Sequence, residues 1–189
     1  MDSLFQCYIE YLPREIIVKK YGKISSIFEL NEKSRRSLRP IHYGLFREEI
    51  ENIWNESNLI IDEILADISK FDLIKNSTFN KKNKGQNLWG SFDGNYCFIN
   101  QSIDDNKIYY FQFGLDITKK ETKDFVQNIL EIASKKNFIL LGSDLKTFEP
   151  TCVEIDNYFK NSPAYKFINT EKEFLKNVAL GKEKTDVQI

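Results

Sequence analysis

Apolar residues recur at Phe46, Ile50, Ile53, Ile60, Ile64, Ile68 and Phe71 in steps of three, four or their sum. Trp54, Ile61 and Leu65 widen the stripe, and Glu48, Glu51, Asp62 and Asp67 fall between its members. This spacing predicts a long amphipathic helix from about Leu45, with Asn55, Ser57 and Asn58 as the place where it bends or splits. Upstream, residues 3–12 (SLFQCYIEYL) satisfy helical and alternating spacing equally, so the pattern leaves their state open. Pro13 then opens a short helix and Gly22 closes it, since proline suits a first turn and glycine a left-handed C-terminal position. The stretch from Asn76 to Gly94 is rich in breakers and predicts an exposed loop, with Asp93-Gly94 as a turn.

The second half alternates differently. Tyr96–Ile103 and Lys107–Leu115 are β-rich runs joined by Asp104-Asp105-Asn106, which predicts a hairpin. Thr118 and Glu121 stand at capping-box spacing ahead of a helix that buries Phe125, Val126, Ile129, Leu130 and Ala133. The uninterrupted apolar run Phe138–Gly142 suits an interior strand. Strand, helix and strand imply a crossover that sets this last strand parallel to the second hairpin strand. Thr151/Glu154 and Thr170/Glu173 repeat the capping pattern and predict helices at about 152–160 and 171–180, with Ser162-Pro163 able to start a turn between them.

The expected fold class is therefore α+β or α/β: a helical N-terminal part, then a mixed sheet with a β-hairpin, a βαβ crossover and C-terminal helices. A chain of 189 residues fits a single domain. Its parts are a helical segment at about 1–75, the loop 76–94, a sheet-containing part 95–180 and a tail 181–189.

Charge changes the picture by what it excludes. The formal net charge is −1 and neither half is polarised, so no bulk attraction to nucleic acid or to an anionic membrane is expected. Cys7, Cys97 and Cys152 are an odd, widely spaced set among apolar neighbours, and His42 is the sole histidine. Buried free thiols in a reducing cytoplasm follow, and no zinc site of the usual ligand count can be assembled. The expected location is cytoplasmic, with no export signal and no membrane span.

Several constellations carry chemistry, each beside a plainer reading. Asp116 and Asp144 fall just past the C-terminal ends of two predicted strands, where open sheets place ligands. With Ser143 and Glu149 they form a candidate acidic crevice for a divalent cation or small ligand, although aspartates also serve as ordinary turn residues. No catalytic residue, cofactor or metal is assigned, because no nucleophile–base motif, P-loop or dinucleotide fingerprint is present. His42 lacks a partner motif and reads as structural. Lys33, Arg35, Arg36 and Arg39, and separately Lys81, Lys82 and Lys84, form basic clusters that suit phosphates, an acidic protein face or plain solvation. REIIVKKYGKISSIFELNEK has helix–turn–helix spacing, but its second segment is short of base-reading side chains, which places a DNA-binding regulator third.

The runs FGLDI, FVQNILEIASKKNFILL and FEPTCVEIDNYFKNSPAYKFI are similar to a pattern in small bacterial immunity-like proteins, which neutralise toxins of contact-dependent or secreted competition systems. The resemblance covers residues 111–178. Glu149-Pro150 ahead of a helix and the Ser162, Ala164, Phe167 cluster are its most distinctive pieces. It implies a non-enzymatic protein-binding module whose partner is a cognate toxin, with Asp104 and Asp105 at the hairpin tip as candidate contacts. The metal-assisted enzyme or small-ligand binder at Asp116/Asp144/Glu149 is the alternative.

Overall fold

The structure is a computed structural model that describes residues 6–24, 43–71 and 73–170, without the side chains of 43–49. The basic cluster at Lys33–Arg39, His42, most of the supposed recognition segment and the helix expected at 171–180 lie outside the described residues.

Strand β1 (Gln6–Pro13) leads into α1 (Arg14–Tyr21). Next come α2 (Tyr43–Ser57), α3 (Asp62–Ile68) with a 3-10 turn at Ser69–Phe71, and a short α4 (Ser77–Lys82). Strands β2 (Gln86–Gly90), β3 (Tyr96–Gln101) and β4 (Ile108–Asp116) precede α5 (Thr122–Lys135). Strands β5 (Phe138–Gly142) and β6 (Thr147–Phe148) and helix α6 (Cys152–Asn161) follow, and residues 163–170 are helical again. The six strands form one sheet in the order β2-β3-β4-β1-β5-β6, with every neighbouring pair antiparallel. The fold is α+β.

The expected hairpin and crossover are present, but the sheet is not mixed. β4 and β5 point the same way, yet β1 lies between them and pairs with both, so no parallel neighbours arise. Residues 6–13 are thus a central strand and not part of a helical N-terminal unit, and their two-sided burial explains why residues 6–12 show no clean alternation.

The main core lies on one sheet face. Ile9, Tyr11, Phe111, Phe113, Cys97, Ile99, Phe138 and Leu140 share it by register and are buried beneath α2, α3 and α5. Tyr11 is the meeting point. Its ring contacts Phe111, Phe113 and Phe138 at centroid distances of 4.7, 4.9 and 5.0 Å. Its hydroxyl donates to the carbonyl of Ile129 in α5 at 2.5 Å, and its own carbonyl accepts from Trp54 Nε1 of α2 at 3.1 Å. Burial pushes its phenol well above the ordinary pKa, so the hydroxyl keeps the proton it donates.

Local chemistry sets the element ends. The long helix divides at Asn58, which takes a left-handed φ of 54°, while Ser57 Oγ accepts from the Leu59 amide. Gly22 closes α1 at φ 76° with its amide donating to Val18. The capping box at Thr118 does not form, because Thr118 donates its hydroxyl to Asp116 Oδ1 at 2.6 Å and α5 starts only at Thr122. Thr151 does cap α6, accepting from the Glu154 amide. Thr170 is itself helical, its hydroxyl donating back to Lys166, whereas Ser162 Oγ accepts from the Tyr165 amide at the start of that helix. The stretch 76–94 holds α4 and β2 in place of the expected loop. Asn76 caps α4, and Asn80 Oδ1 accepts the Leu88 amide, so side chains supply bonds that apolar periodicity would otherwise signal.

Tyr11 generates a graded prediction. Tyr11→Phe keeps the ring packing and loses one buried hydrogen bond, so urea unfolding should report a loss of about 1 kcal/mol. Tyr11→Ala removes the ring from the centre of four elements and should cost about 4 kcal/mol. Equal losses for the two variants would show that the ring packing carries little.

Candidate functional site

The carboxylates singled out by the sequence each have a local partner. Asp116, at the end of β4, is nearly buried; its Oδ1 accepts from the Thr118 amide and hydroxyl, and Lys119 Nζ stands 3.9 Å from Oδ2. Asn95 Oδ1 accepts the Asp116 amide at 2.9 Å, and the Thr122 hydroxyl donates to the Asp116 carbonyl. Asp144 sits in the turn after β5, where Oδ1 accepts from the Lys146 amide and Oδ2 lies 3.1 Å from Lys146 Nζ. The Ser143 amide donates to the Tyr158 hydroxyl, which itself donates to the Tyr8 carbonyl at 2.7 Å. Burial raises the Tyr158 phenol far above its usual pKa, so it remains a neutral donor.

Glu149 is elsewhere. β6 runs back along β5, pairing Thr147 with Leu141 and Phe148 with Leu140, which puts Glu149 near the start of β5. There it holds a two-point ion pair with Arg14, which follows the Pro13–Phe138 pairing. Asp144 lies beyond the other end of the same strand, about 17 Å away at strand rise. Asp116 and Asp144 share one end of the sheet with β1 between their strands, a separation of about 10 Å across the sheet. The structure therefore does not bring the carboxylates of Asp116, Asp144 and Glu149 into one coordination sphere. Among the described residues no three His, Cys, Asp or Glu side chains gather to hold a metal ion.

The hairpin tip is better defined than its sequence suggests. Ser102 Oγ accepts from the Asp104 and Asp105 amides, and Asp105 Oδ1 accepts from the Lys107 amide. Asp105 Oδ2 lies 3.2 Å from Lys107 Nζ. The Ser102 and Lys107 bonds hold the Asp105 carboxyl below its usual pKa. Asn106 takes φ 57°, and its side chain accepts from Gln101 Nε2. The other flank is tied to the α2–α3 connection, with the Ile61 amide donating to Asn106 and the Ile108 amide to Leu59. This scaffold presents exposed Asp104 beside Ile103, which is 66% exposed. Asp105 is thus a residue that shapes the tip, and Asp104 is one the tip offers.

Sequence reasoning missed the second face of the sheet. By register Gln6, Tyr8 and Glu10 of β1, Tyr110 and Gln112 of β4 and Tyr96, Phe98 and Asn100 of β3 all lie there. The Tyr110 hydroxyl donates to Glu10 Oε1 at 2.7 Å, and the Tyr96 hydroxyl to Gln112 at 3.3 Å. Tyr96 lies across Gly114, where a β-carbon would come within 2.0 Å of its ring. Asn100 is 1% exposed, and neither atom of its amide has a hydrogen-bond partner. The signal was available in the alternation Tyr96, Phe98, Asn100, which puts aromatic and amide groups together on one side of β3.

The cysteines divide by environment. Cys7 and Cys97 are buried and form no disulfide, and burial pushes the Cys97 thiol well above its ordinary value. Cys152 is free but exposed at the start of α6, contrary to the expectation of three buried thiols, because the helix turns its first residues to solvent. In the native state alkylation should therefore label Cys152 alone, and all three thiols only after denaturation, as counted by intact mass. Native labelling of Cys97 would contradict its position in the core.

Asn100 generates a second prediction. Replacing a buried, unsatisfied amide by an apolar group of similar volume removes a desolvation cost. Asn100→Leu should raise stability by about 1 kcal/mol in urea unfolding, and a loss of that size would show that the amide is satisfied in solution.

Compared with known proteins, the chain matches no protein-family model, and neither a curated protein nor a solved structure shows significant similarity to it.

Proposed function

We propose that this chain is a non-enzymatic protein-binding module of the bacterial immunity type, working in the cytoplasm as the inhibitor of one cognate toxin. The observation that carries the reading is the hairpin tip. A connection between two strands needs no bracing from both flanks, yet this one is fixed by side-chain and backbone bonds while Ile103 and Asp104 stay exposed. Preorganisation of an apolar and an acidic group removes the ordering cost that a flexible loop would bring to a complex. The likeness of residues 111–178 to immunity-like proteins supports the same reading. No described helix is long and apolar enough to cross a membrane.

In this reading Ile103 enters an apolar depression on the toxin while Asp104 meets a basic residue beside it. Specificity then rests on the match of that centre and on the cost of desolvating Asp104 against a wrong partner. Co-expression should rescue a bacterial cell from the toxin encoded beside this chain's gene and not from unrelated toxins. Asp104→Lys, which leaves the bonds of Asp105 in place, should slow association more than it speeds dissociation, and the effect should shrink with added salt. Absence of both binding and protection against the neighbouring toxin would overturn the reading.

A further inference from the structure

A second surface lies at the opposite end of β3. The turn between β2 and β3 carries Phe92, which remains 44% exposed although it packs on three other rings. Phe79 of α4 is 5.7 Å from it, Tyr96 4.9 Å and Phe98 6.3 Å, and Phe79 and Phe98 are themselves only half-buried. The turn is held in shape. Gln6 Nε2 donates to the carbonyls of Phe92 and Gly94, the Gly94 amide donates to Ser91, and Ser91 Oγ accepts from the Asp93 amide. A turn residue needs no aromatic side chain to reverse a strand, yet Phe92 leaves nearly half of its surface in water there.

The rim is basic. Lys82 stands three residues past Phe79 on α4, hence on the same side of that helix, whereas Lys81, two residues past it, faces away and Lys84 follows in the turn before β2. No ion pair among the described residues engages these three lysines. Lys119 Nζ reaches the Phe92 turn, lying 2.9 Å from where a β-carbon on Gly94 would stand. Asp93 is the one acidic residue between Gln86 and Gln101, and the Asp116 carboxylate stands 3.9 Å from Lys119 Nζ. In a chain of net charge −1, this is a local positive field around an apolar floor.

We propose that this patch docks an acidic segment of another protein, one that carries an apolar side chain among its carboxylates. The apolar side chain seats against Phe92, Phe79 and Phe98, and the carboxylates meet Lys82 and Lys119. The ring geometry favours a protein over a single-stranded nucleic acid. Phe79, Phe92, Tyr96 and Phe98 meet at interplanar angles of 53–77° and fill one another's edges, whereas a run of bases needs separate faces to stack on. The inference goes beyond the inhibitor reading, since it holds whatever the hairpin tip engages.

A random peptide library displayed on phage and selected against the immobilised full chain tests it. Selection should enrich sequences with aspartate or glutamate around a large apolar residue. A synthetic peptide of that sequence should bind at least about tenfold more weakly to Phe92→Ser and to the double variant Lys82→Glu with Lys119→Glu. Asp104→Lys, at the far end of β3, should bind it as the parent does. The lysine variant alters exposed positions only, so it carries the test should Phe92→Ser lose its cooperative melt. Failure to enrich acidic peptides, or peptides that bind both variants as tightly as the parent, would overturn the proposal. Oligothymidylate binding that the same variants abolish would overturn it as well, in favour of a nucleic-acid surface.

Discussion

Everything in the sheet depends on β1 being seated between β4 and β5. Without it, two interior strands would each face an empty lane, and their backbone amides and carbonyls would be buried unpaired. The constraint is long-range: Glu10 and Tyr110, hydrogen-bonded across the β1–β4 pair, are 100 residues apart. The β3–β4 hairpin, α5 and β5 are local units by comparison, and they reach a continuous sheet only when the chain's first strand returns to them. Tyr11 is where that return is checked. One side chain and its own carbonyl touch α2, α5 and three rings of the core, so a register slip in β1 would turn the ring to the other face and break all of these contacts at once.

The same constraint explains which parts of the fold were legible in the sequence. The hairpin, α5, β5 and the Thr151 cap obey local rules: alternation, 3.6-residue periodicity and a capping oxygen at fixed spacing. β1 does not, because a strand buried on both faces has no polar alternation to display. Residues 76–90 were opaque for the converse reason. Their order comes from Asn76 and Asn80 bonding to backbone, a signal that looks the same as a loop's polarity. The cap at Thr118 failed because the hydroxyl that would have accepted a backbone amide is instead turned to donate to the nearby Asp116 carboxylate. At the candidate site, the placement of Asp116 and Asp144 at one end of the sheet followed from the strand–helix–strand order. The position of Glu149 did not, because the turn at Ser143–Lys146 sends β6 back along β5 and carries Glu149 to the other end.

Charge inside the fold is used for joining and outside it for display. Asp67 of α3 is buried and accepts from Lys135 of α5 at 2.7 Å, with Lys70 3.9 Å away and itself paired to Glu131. That network fastens the two helices that cover Tyr11 and Phe71. Its lysines keep their ammonium groups in water, so most of the desolvation falls on one carboxylate. Asp105 and Lys107, by contrast, shape an exposed tip, and their bond serves geometry more than stability.

The two ends of β3 then differ in sign. Six residues of strand separate them, about 20 Å at strand rise, which is beyond a Debye length at physiological salt. Each end therefore acts as its own electrostatic site: the acidic Asp104 tip beside Ile103, and the lysine rim around Phe92. A partner drawn to one is not repelled by the other, and neither field is visible in a net charge of −1. The two ends of β3 thus each show an exposed apolar group beside charge, Ile103 with Asp104 at the β3–β4 turn and Phe92 with lysines at the β2–β3 turn. On the two binding proposals, that arrangement matters more than overall composition, because a local field at each end, and not the net charge, would select the partner.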